Sequence, residues 1–232
     1  MTRALARDEP ADGVLRLRLD RPEVRNAANR ELVTALIEEL GGAQEVGAIV
    51  LGSTDPRAFC SGLDLSLPPE ERVEVSDLLY ELYDRMLAAP PIVAAIGGAA
   101  VGGGAQLAIA SDLRVAGPGA TVRFVGPGHG LSAGAWGLPS LIGRGRAIDL
   151  CLTMRGVDVE EAVLIGLVDR LTDNPDALAV ELAAAIAGLD RSAAARVKRI
   201  AAGGAGLLEV LRSERRDNLA SWSGDVPDRD RG

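Results

Sequence analysis

Two hydrophobic periods alternate along the first half of the chain. Apolar and charged residues alternate over residues 14–19, which is the pattern of a half-buried strand. Residues 46–51 and 92–96 are short apolar runs bounded by turn residues, which favours fully buried strands. Apolar side chains recur at helical spacing after Asn29, a good N-cap residue, and again over residues 72–88. This alternation of strands and helices predicts an α/β fold.

Helical patterns dominate the second half, after a short predicted strand at 113–115 and a glycine-rich irregular stretch at 117–137. The predicted helices cover residues 103–110, 139–153, 158–165, 176–188, 191–202 and 206–222. A last short strand is predicted at 167–171, and a polar, loose tail at 224–232. We therefore expect a core over residues 1–188 and a helical C-terminal region over residues 189–232.

Composition and charge narrow the function classes. The chain has 232 residues and a formal net charge of −8, which argues against a nucleic-acid partner because such proteins carry basic surfaces. No apolar stretch is long enough for a membrane span, and no signal peptide is recognised. Cys60 and Cys151 make neither a disulfide framework nor a metal site. We expect a cytoplasmic protein without a metal or a membrane partner.

Two glycine-bearing segments follow buried strands and carry the candidate chemistry. One covers residues 58–65, and the other runs from Gly97 to Gly104 and opens directly into a helix. Backbone N–H groups at a helix start are unpaired and lie at the positive end of the helix dipole. Two such groups aimed at one oxygen form an oxyanion hole, although a tight strand-to-helix turn explains the glycines equally well. A dinucleotide site fits worse, because Asp112 follows too soon to be the ribose acid.

Together these segments resemble the crotonase superfamily, also called the enoyl-CoA hydratase/isomerase family. The resemblance extends to residues 21–27, 141–147, 160–162 and 166–169, and it covers most of the chain. It implies a spiral of ββα units followed by helices that make trimer contacts. We therefore expect a homotrimer or a dimer of trimers.

The resemblance also implies an acyl-CoA ligand, with no cofactor beyond its coenzyme A moiety. The residues that match Arg25 and Ala27 lie near the CoA nucleotide in the family, and the backbone N–H groups that match Leu63 and Gly103 bind the thioester oxygen. Trp136 matches the wall of the acyl pocket. The residues implied to bind the ligand are Arg25, Ala27, Ser61, Gly62, Leu63, Asp64, Leu65, Gly102, Gly103 and Trp136.

The sequence departs from the hydratase members at their two catalytic glutamates. Gln106 stands at the first position, and Gly128 stands at the second. An amide can hold a ligand by hydrogen bonds, but it cannot accept a proton near neutral pH. His129, the only histidine, is a candidate replacement base because its ordinary pKa suits the task. Asp64 is the other candidate.

Each of these side chains also has a simpler interpretation. Arg25 and His129 fit solvated loops, Asp64 fits a residue that organises its loop, and Trp136 fits core filling. Cys60 is interpreted as a small buried residue and not as a nucleophile, and Glu70 and Glu71 as a solvated helix start.

Three functions follow from this pattern. The chain binds acyl-CoA without proton transfer, or it catalyses an altered reaction with another base, such as isomerisation, thioester hydrolysis or decarboxylation. The third is a structural relative that assembles with active subunits. The C-terminal region is shorter than is usual in the family, so either the site is more open or a neighbouring subunit covers it.

Overall fold

A computed structural model of the chain describes residues 4–203 and 206–227. Its strands are β1 (Leu5–Ala11), β2 (Val14–Leu19), β3 (Ala48–Ser53), β4 (Ala58–Cys60), β5 (Ile92–Ile96), β6 (Ala99–Val101), β7 (Leu113–Ala116), β8 (Thr121–Arg123), β9 (Val157–Asp158) and β10 (Arg170–Leu171). Its helices are α1 (Arg30–Gly42), α2 (Pro69–Ala88), α3 (Gly103–Ala110), α4 (Leu138–Ile142), α5 (Arg144–Thr153), α6 (Val159–Leu164), α7 (Pro175–Ala187), α8 (Arg191–Ala201) and α9 (Gly206–Ser221).

From β3 to β8, successive strands alternate between two sheets. The larger sheet has the order β1-β2-β3-β5-β7-β10, and the smaller has the order β4-β6-β8-β9. Strands β3, β5 and β7 pair in parallel in the first sheet, and β4, β6 and β8 pair in parallel in the second. Each pass of the chain thus adds one strand to each sheet, and helices α2 and α3 follow two of these passes. The predicted α/β spiral of ββα units is confirmed.

The core lies on both faces of the larger sheet. The main apolar cluster packs α1, α2 and α3 against one face, and its largest fully buried side chains include Tyr83, Phe59 and Phe124. Helix α7 covers the other face, where Ala179 and Ala183 are buried among short strand residues. Alanine suits α7 because it lets the helix approach the sheet closely and retains high helix propensity.

The structure corrects several predicted elements. The patterns missed β1, which carries Arg7, Asp8 and Glu9 at the sheet edge, where charges are tolerated. They also missed β4, β6, β8 and β9, whose two or three residues are too few to show a period. The helix predicted at 139–153 is two helices, because Gly143 at φ 81° ends α4 and begins α5.

Boundaries and the tail also differ. Helix α2 begins at Pro69 instead of residue 72, since a proline is tolerated in the first turn of a helix. Strand β3 begins at Ala48 instead of residue 46. The predicted loose tail is wrong at its described start, because Val226 is only 5% exposed. Residues 228–232 of the predicted tail lie outside the described part of the chain.

Candidate functional site

The two loops predicted to frame the ligand run side by side. The Ala28 N–H donates to the Gly62 carbonyl at 2.7 Å, and the Asp64 N–H donates back to the Ala28 carbonyl at 3.0 Å. Farther along, the Ser61 N–H donates to the Arg25 carbonyl at 3.0 Å. The stretch from Arg25 to Ala28 is therefore paired with the stretch from Ser61 to Asp64.

Asn26, which the sequence patterns did not single out, fixes this pairing. Its side chain is fully buried and donates from Nδ2 to Ser53 Oγ at 2.6 Å and to the Phe59 carbonyl at 3.1 Å. Its Oδ1 accepts from the Arg21 N–H at 2.8 Å. The residue has φ 56°, a left-handed conformation that asparagine adopts more readily than most residues. That preference was the available signal for a structural asparagine here.

The two glycine segments touch at Gly62 and Gly103. Gly62 has φ 94°, and a Cβ there would lie 2.7 Å from the Val101 carbonyl oxygen and 3.2 Å from the Gly103 nitrogen. A Cβ on Gly104 would lie 2.1 Å from the Cys60 carbonyl oxygen. Glycine is required at both positions because the backbones are in direct contact. The contact brings the loop of Leu63 against the start of α3.

Two backbone donors at this contact have no partner in the part of the chain that the structure describes. Across residues 4–203 and 206–227, the structure shows no hydrogen bond donated by the Leu63 N–H or the Gly103 N–H. Gly103 is the first residue of α3, so its N–H lies at the positive end of the helix dipole. Leu63 itself is partly buried. The arrangement can stabilise negative charge on one bound oxygen.

Gln106 and Trp136 lie next to this contact and are joined to each other. Gln106 is buried on the first turn of α3, and its Oε1 accepts from the Trp136 indole N–H at 3.0 Å and from the Gly134 N–H at 3.2 Å. The Trp136 ring stacks on Tyr83 with ring centroids 6.1 Å apart. The Tyr83 hydroxyl donates to the Gly103 carbonyl at 3.1 Å. Trp136 therefore fills the core, and Gln106 and Tyr83 link it to the start of α3.

A second buried polar group was missed by sequence reasoning. Glu214 of α9 is 6% exposed, and its Oε1 accepts from the Tyr80 hydroxyl at 2.7 Å and from the Gly134 N–H at 3.0 Å. Its Oε2 accepts from the Trp136 N–H at 2.8 Å. Burial raises the pKa of this carboxyl to about 7, against the lowering effect of its hydrogen bonds.

The two candidate bases are placed differently. Asp64 is 8% exposed, its Oδ1 accepts from Ser66 Oγ at 2.6 Å, and its Oδ2 lies 3.4 Å from Arg21. These contacts hold the loop. His129 is partly exposed and ends a 3-10 turn that starts at Gly126. Gly128 packs against Met154, whose Sδ accepts from the Gly128 N–H at 3.1 Å.

The other residues considered in the sequence are placed as follows. Cys60 is fully buried, and burial raises the pKa of its thiol to about 11, so it is not a ready nucleophile. Glu70 and Glu71 are exposed in the first turn of α2. Arg25 is exposed, Ala27 is buried, and Leu65 is partly exposed. Gly102, at φ 54°, precedes α3.

Two further properties hold for the part of the chain that the structure describes. None of its helices is long and apolar enough to cross a membrane. None of its clusters of His, Cys, Asp and Glu side chains has the three members that a metal ion needs.

The fold and the glycine segments define an α/β spiral protein in which a loop after β4 packs against the start of α3. A family model described as enoyl-CoA hydratase/isomerase matches residues 9–205. The chain therefore belongs to the enoyl-CoA hydratase/isomerase family, as its motifs predicted.

Individual relatives agree with this assignment. The chain is 39% identical over 196 residues to "Probable enoyl-CoA hydratase echA6" of Mycobacterium tuberculosis, which covers 82% of this chain and 79% of that protein. The crystal structure of an enoyl-CoA hydratase/isomerase from Xanthobacter autotrophicus Py2 matches with a TM-score of 0.88 at 26% identity, over 98% of this chain and 90% of that one. A second enoyl-CoA hydratase/isomerase, from Mycobacterium paratuberculosis, matches with a TM-score of 0.86 at 25% identity, over 100% of this chain and 97% of that one.

Proposed function

We propose that the chain binds an acyl-CoA thioester, with the thioester oxygen accepting from the N–H groups of Leu63 and Gly103. The observation that carries this proposal is the direct packing of Gly62 against Gly103, while the N–H groups of Leu63 and Gly103 have no partner among the described residues. Such donors stabilise an oxygen that gains negative charge, as an enolate or tetrahedral oxygen does. They belong to the backbone, so they persist although other site residues differ from the hydratase pattern.

The CoA portion is proposed to lie along the paired loops. Ser61, Gly62, Leu63, Asp64 and Leu65 would frame the pantetheine and the thioester, beside Ala27. Arg25 is exposed next to Ser61, and its guanidinium would pair with a phosphate of the nucleotide. The proposed ligand needs no further cofactor, and the cytoplasmic location stays a prediction.

Hydration by two glutamates is not the proposed chemistry. Gln106 stands at the first glutamate position, and its Oε1 already accepts two hydrogen bonds from the loop of Trp136. An amide cannot take a proton from water at neutral pH. Gly128 offers no side chain at the second position. Several relatives are named as probable enoyl-CoA hydratases, and the protein is proposed to share that ligand class without hydration by two glutamates.

Replacing Gly103 tests the oxyanion site directly. Gly103→Pro removes the N–H at the first position of α3, where proline is well tolerated, and Gly103→Ala adds a Cβ but keeps the N–H. Both variants meet Leu79 Cδ1, which would lie 3.2 Å from the new Cβ, so the alanine variant is a matched control. We expect Gly103→Pro to bind butyryl-CoA about tenfold more weakly than Gly103→Ala, measured by calorimetry.

Two results would overturn this proposal. The first is a wild-type protein that binds no acyl-CoA, and the second is equal affinity in the two Gly103 variants. Free CoA should bind the two variants equally, because it lacks the thioester oxygen.

An active enzyme with another base is the alternative. Asp64 is tied to Ser66 and Arg21, which favours its loop-holding role, so His129 is the stronger of the two candidates. Incubation with crotonyl-CoA and measurement of the conjugated enoyl absorbance, with product analysis by mass spectrometry, decides between binding and turnover. Turnover lost in His129→Ala or Asp64→Ala would establish the alternative. Co-purification with a second family member would instead favour a structural partner role.

A homotrimer, or a dimer of trimers, is the proposed assembly. Large apolar side chains on α5 and α6 are exposed in the single chain, with Leu152 67% exposed and Leu164 84% exposed. A contiguous apolar patch formed by these side chains would mark a subunit contact.

A further inference from the structure

The last described helix reaches the acyl side of the site through two side chains on one face. Glu214 and Asn218 are four residues apart on α9 and therefore point the same way. Asn218 Oδ1 accepts from the Ser132 N–H at 3.0 Å, and its Nδ2 donates to the Tyr80 hydroxyl at 2.8 Å. Glu214 accepts from the same hydroxyl. This face of α9 thus forms hydrogen bonds with the segment 132–136 on one side and with α2 on the other.

Most of these hydrogen bonds lie around Trp136. The two carboxylate oxygens of Glu214 accept separately from the Gly134 and Trp136 N–H groups. The side-chain oxygen of Gln106 accepts from the Trp136 indole N–H and also from the Gly134 N–H. Helix α9 therefore binds the backbone N–H of Trp136, and α3 binds its indole N–H. The face of the indole ring rests on Tyr83, whose hydroxyl donates to the Gly103 carbonyl. One continuous set of contacts joins Glu214 to the oxyanion residue.

We propose that Glu214 is a positioning residue whose carboxylate holds Trp136 as the acyl-side wall of the Leu63–Gly103 site. This inference rests on the proposed acyl-CoA binding. Because Glu214 acts through Trp136, its loss should weaken binding of the acyl group and leave binding of the CoA portion unchanged. The bound class favoured by such a wall is an acyl chain that can pack against an indole ring, not free coenzyme A.

The surroundings of Glu214 give the inference a spectroscopic test. Its titratable neighbours are Tyr80 and Tyr83 on α2 and Cys151 on α5, and burial raises the pKa of all three. They keep their protons near neutral pH, whereas burial brings the pKa of Glu214 to about 7. The ion pairs Asp77–Arg215 and Asp84–Arg212 also join α2 and α9. On α3, the facing group is the neutral amide of Gln106.

The binding experiment uses Glu214→Ala, Glu214→Gln and the matched control Glu209→Gln, which changes an exposed glutamate of the same helix. Calorimetry is run with butyryl-CoA and with free CoA. Glu214→Ala should weaken butyryl-CoA binding about tenfold and alter CoA binding less than about twofold, since only the acyl wall is released. Glu214→Gln has one acceptor oxygen for two backbone donors, so it should lie between Glu214→Ala and wild type.

The second measurement needs no ligand. In a Trp222→Phe background, Trp136 is the only tryptophan. Its fluorescence should change with pH around a midpoint near 7 when Glu214 is present, and not in Glu214→Gln. Wild-type failure to bind either ligand would defeat the proposed function, while this titration would still test the positioning role. Equal acyl affinity in the Glu214 variants and wild type, or a midpoint near 7 that persists in Glu214→Gln, would overturn the inference.

Discussion

At the scale of single residues, buried polar side chains serve backbone groups of distant segments. Asn26 satisfies donors and acceptors from three loops, Gln106 holds the Trp136 loop, and Arg114 pairs with Asp169 at 2.8 Å. A buried polar group left without a partner would cost about 1–3 kcal/mol, so each contact also fixes the segment that it reaches. The site is built from these contacts as much as from its apolar core.

Glu214 makes the stability of the protein depend on pH. Burial raises the pKa of its carboxyl to about 7 in the folded chain, against about 4.3 in an unfolded one. Within this window the folded state binds a proton that the unfolded state has lost. The resulting stabilisation is complete below about pH 4.3 and disappears as the pH rises through about 7. The Glu214→Gln variant lacks this titration.

We therefore expect the free energy of unfolding of wild type, relative to Glu214→Gln, to fall by on the order of 3 kcal/mol between pH 4 and pH 8. Urea denaturation at several pH values measures the difference. Glu209→Gln should run parallel to wild type, because that side chain is exposed. A constant difference between wild type and Glu214→Gln would show that Glu214 does not titrate with a raised pKa.

Sequence patterns predicted the backbone segments of the candidate site better than the buried polar side chains that hold them. The glycines around Leu63 and Gly103 stand next to buried strands in the chain, so a local pattern was enough to place them. Glu214 lies 80 residues from Gly134 and 134 residues from Tyr80, and in the sequence it is one charge among many on a polar helix. No local pattern distinguishes a glutamate that will be buried by a distant loop from one that stays in water.

At the scale of elements, helix α8 is attached through polar side chains: Arg191 Nη1 donates to the Glu45 carbonyl at 2.6 Å, and Lys198 contacts Asp112. The helix has no fully buried residue, and Val197 and Ile200 are 67% and 68% exposed. The single lysine of the chain, Lys198, places its Nζ 2.8 Å from Asp112 Oδ2 and from the Met86 carbonyl oxygen. This contact joins α8 to the end of α2 and to the turn before β7.

Replacing Lys198 should release α8 without unfolding the core. Lys198→Met keeps a stem of similar length but removes the charge and its donors, so we expect a loss of about 2 kcal/mol in the free energy of unfolding. Hydrogen exchange over residues 191–201 should accelerate. Arg199→Met, which changes the exposed neighbour, is the control. Unchanged exchange in Lys198→Met would show that other contacts hold the helix.

The sequence predicted those helices and strands that are long enough for a hydrophobic period to be recognised. Helices α1, α2 and α7 and strands β2 and β5 lie within a few residues of their predicted bounds, and Asn29 caps α1 by accepting from the Leu32 N–H at 3.0 Å. The smaller sheet was missed, because its strands hold two or three residues each and depend on neighbours from other passes of the chain.

At the scale of the whole molecule, the exposed apolar residues of α5 and α6 set the expected assembly. The double variant Leu152→Glu, Leu164→Glu would bury charges in any contact that covers these helices, so it should convert the proposed trimer to single chains. Light scattering after size exclusion measures the mass. Leu189→Glu, 59% exposed in wild type and outside both helices, is the control. A wild-type protein with the mass of one chain would contradict the proposed trimer.

The position of Glu214 in the chain also bears on how the protein is made. The glycine segments have both been synthesised by residue 104, whereas Glu214, which accepts from the Trp136 N–H, lies 78 residues after Trp136. On the proposed function, a nascent chain would therefore contain both glycine segments before the helix that supports Trp136. Helix α9 is the last of the described helices to be synthesised. The Trp136 segment therefore gains the support of Glu214 only near the end of translation.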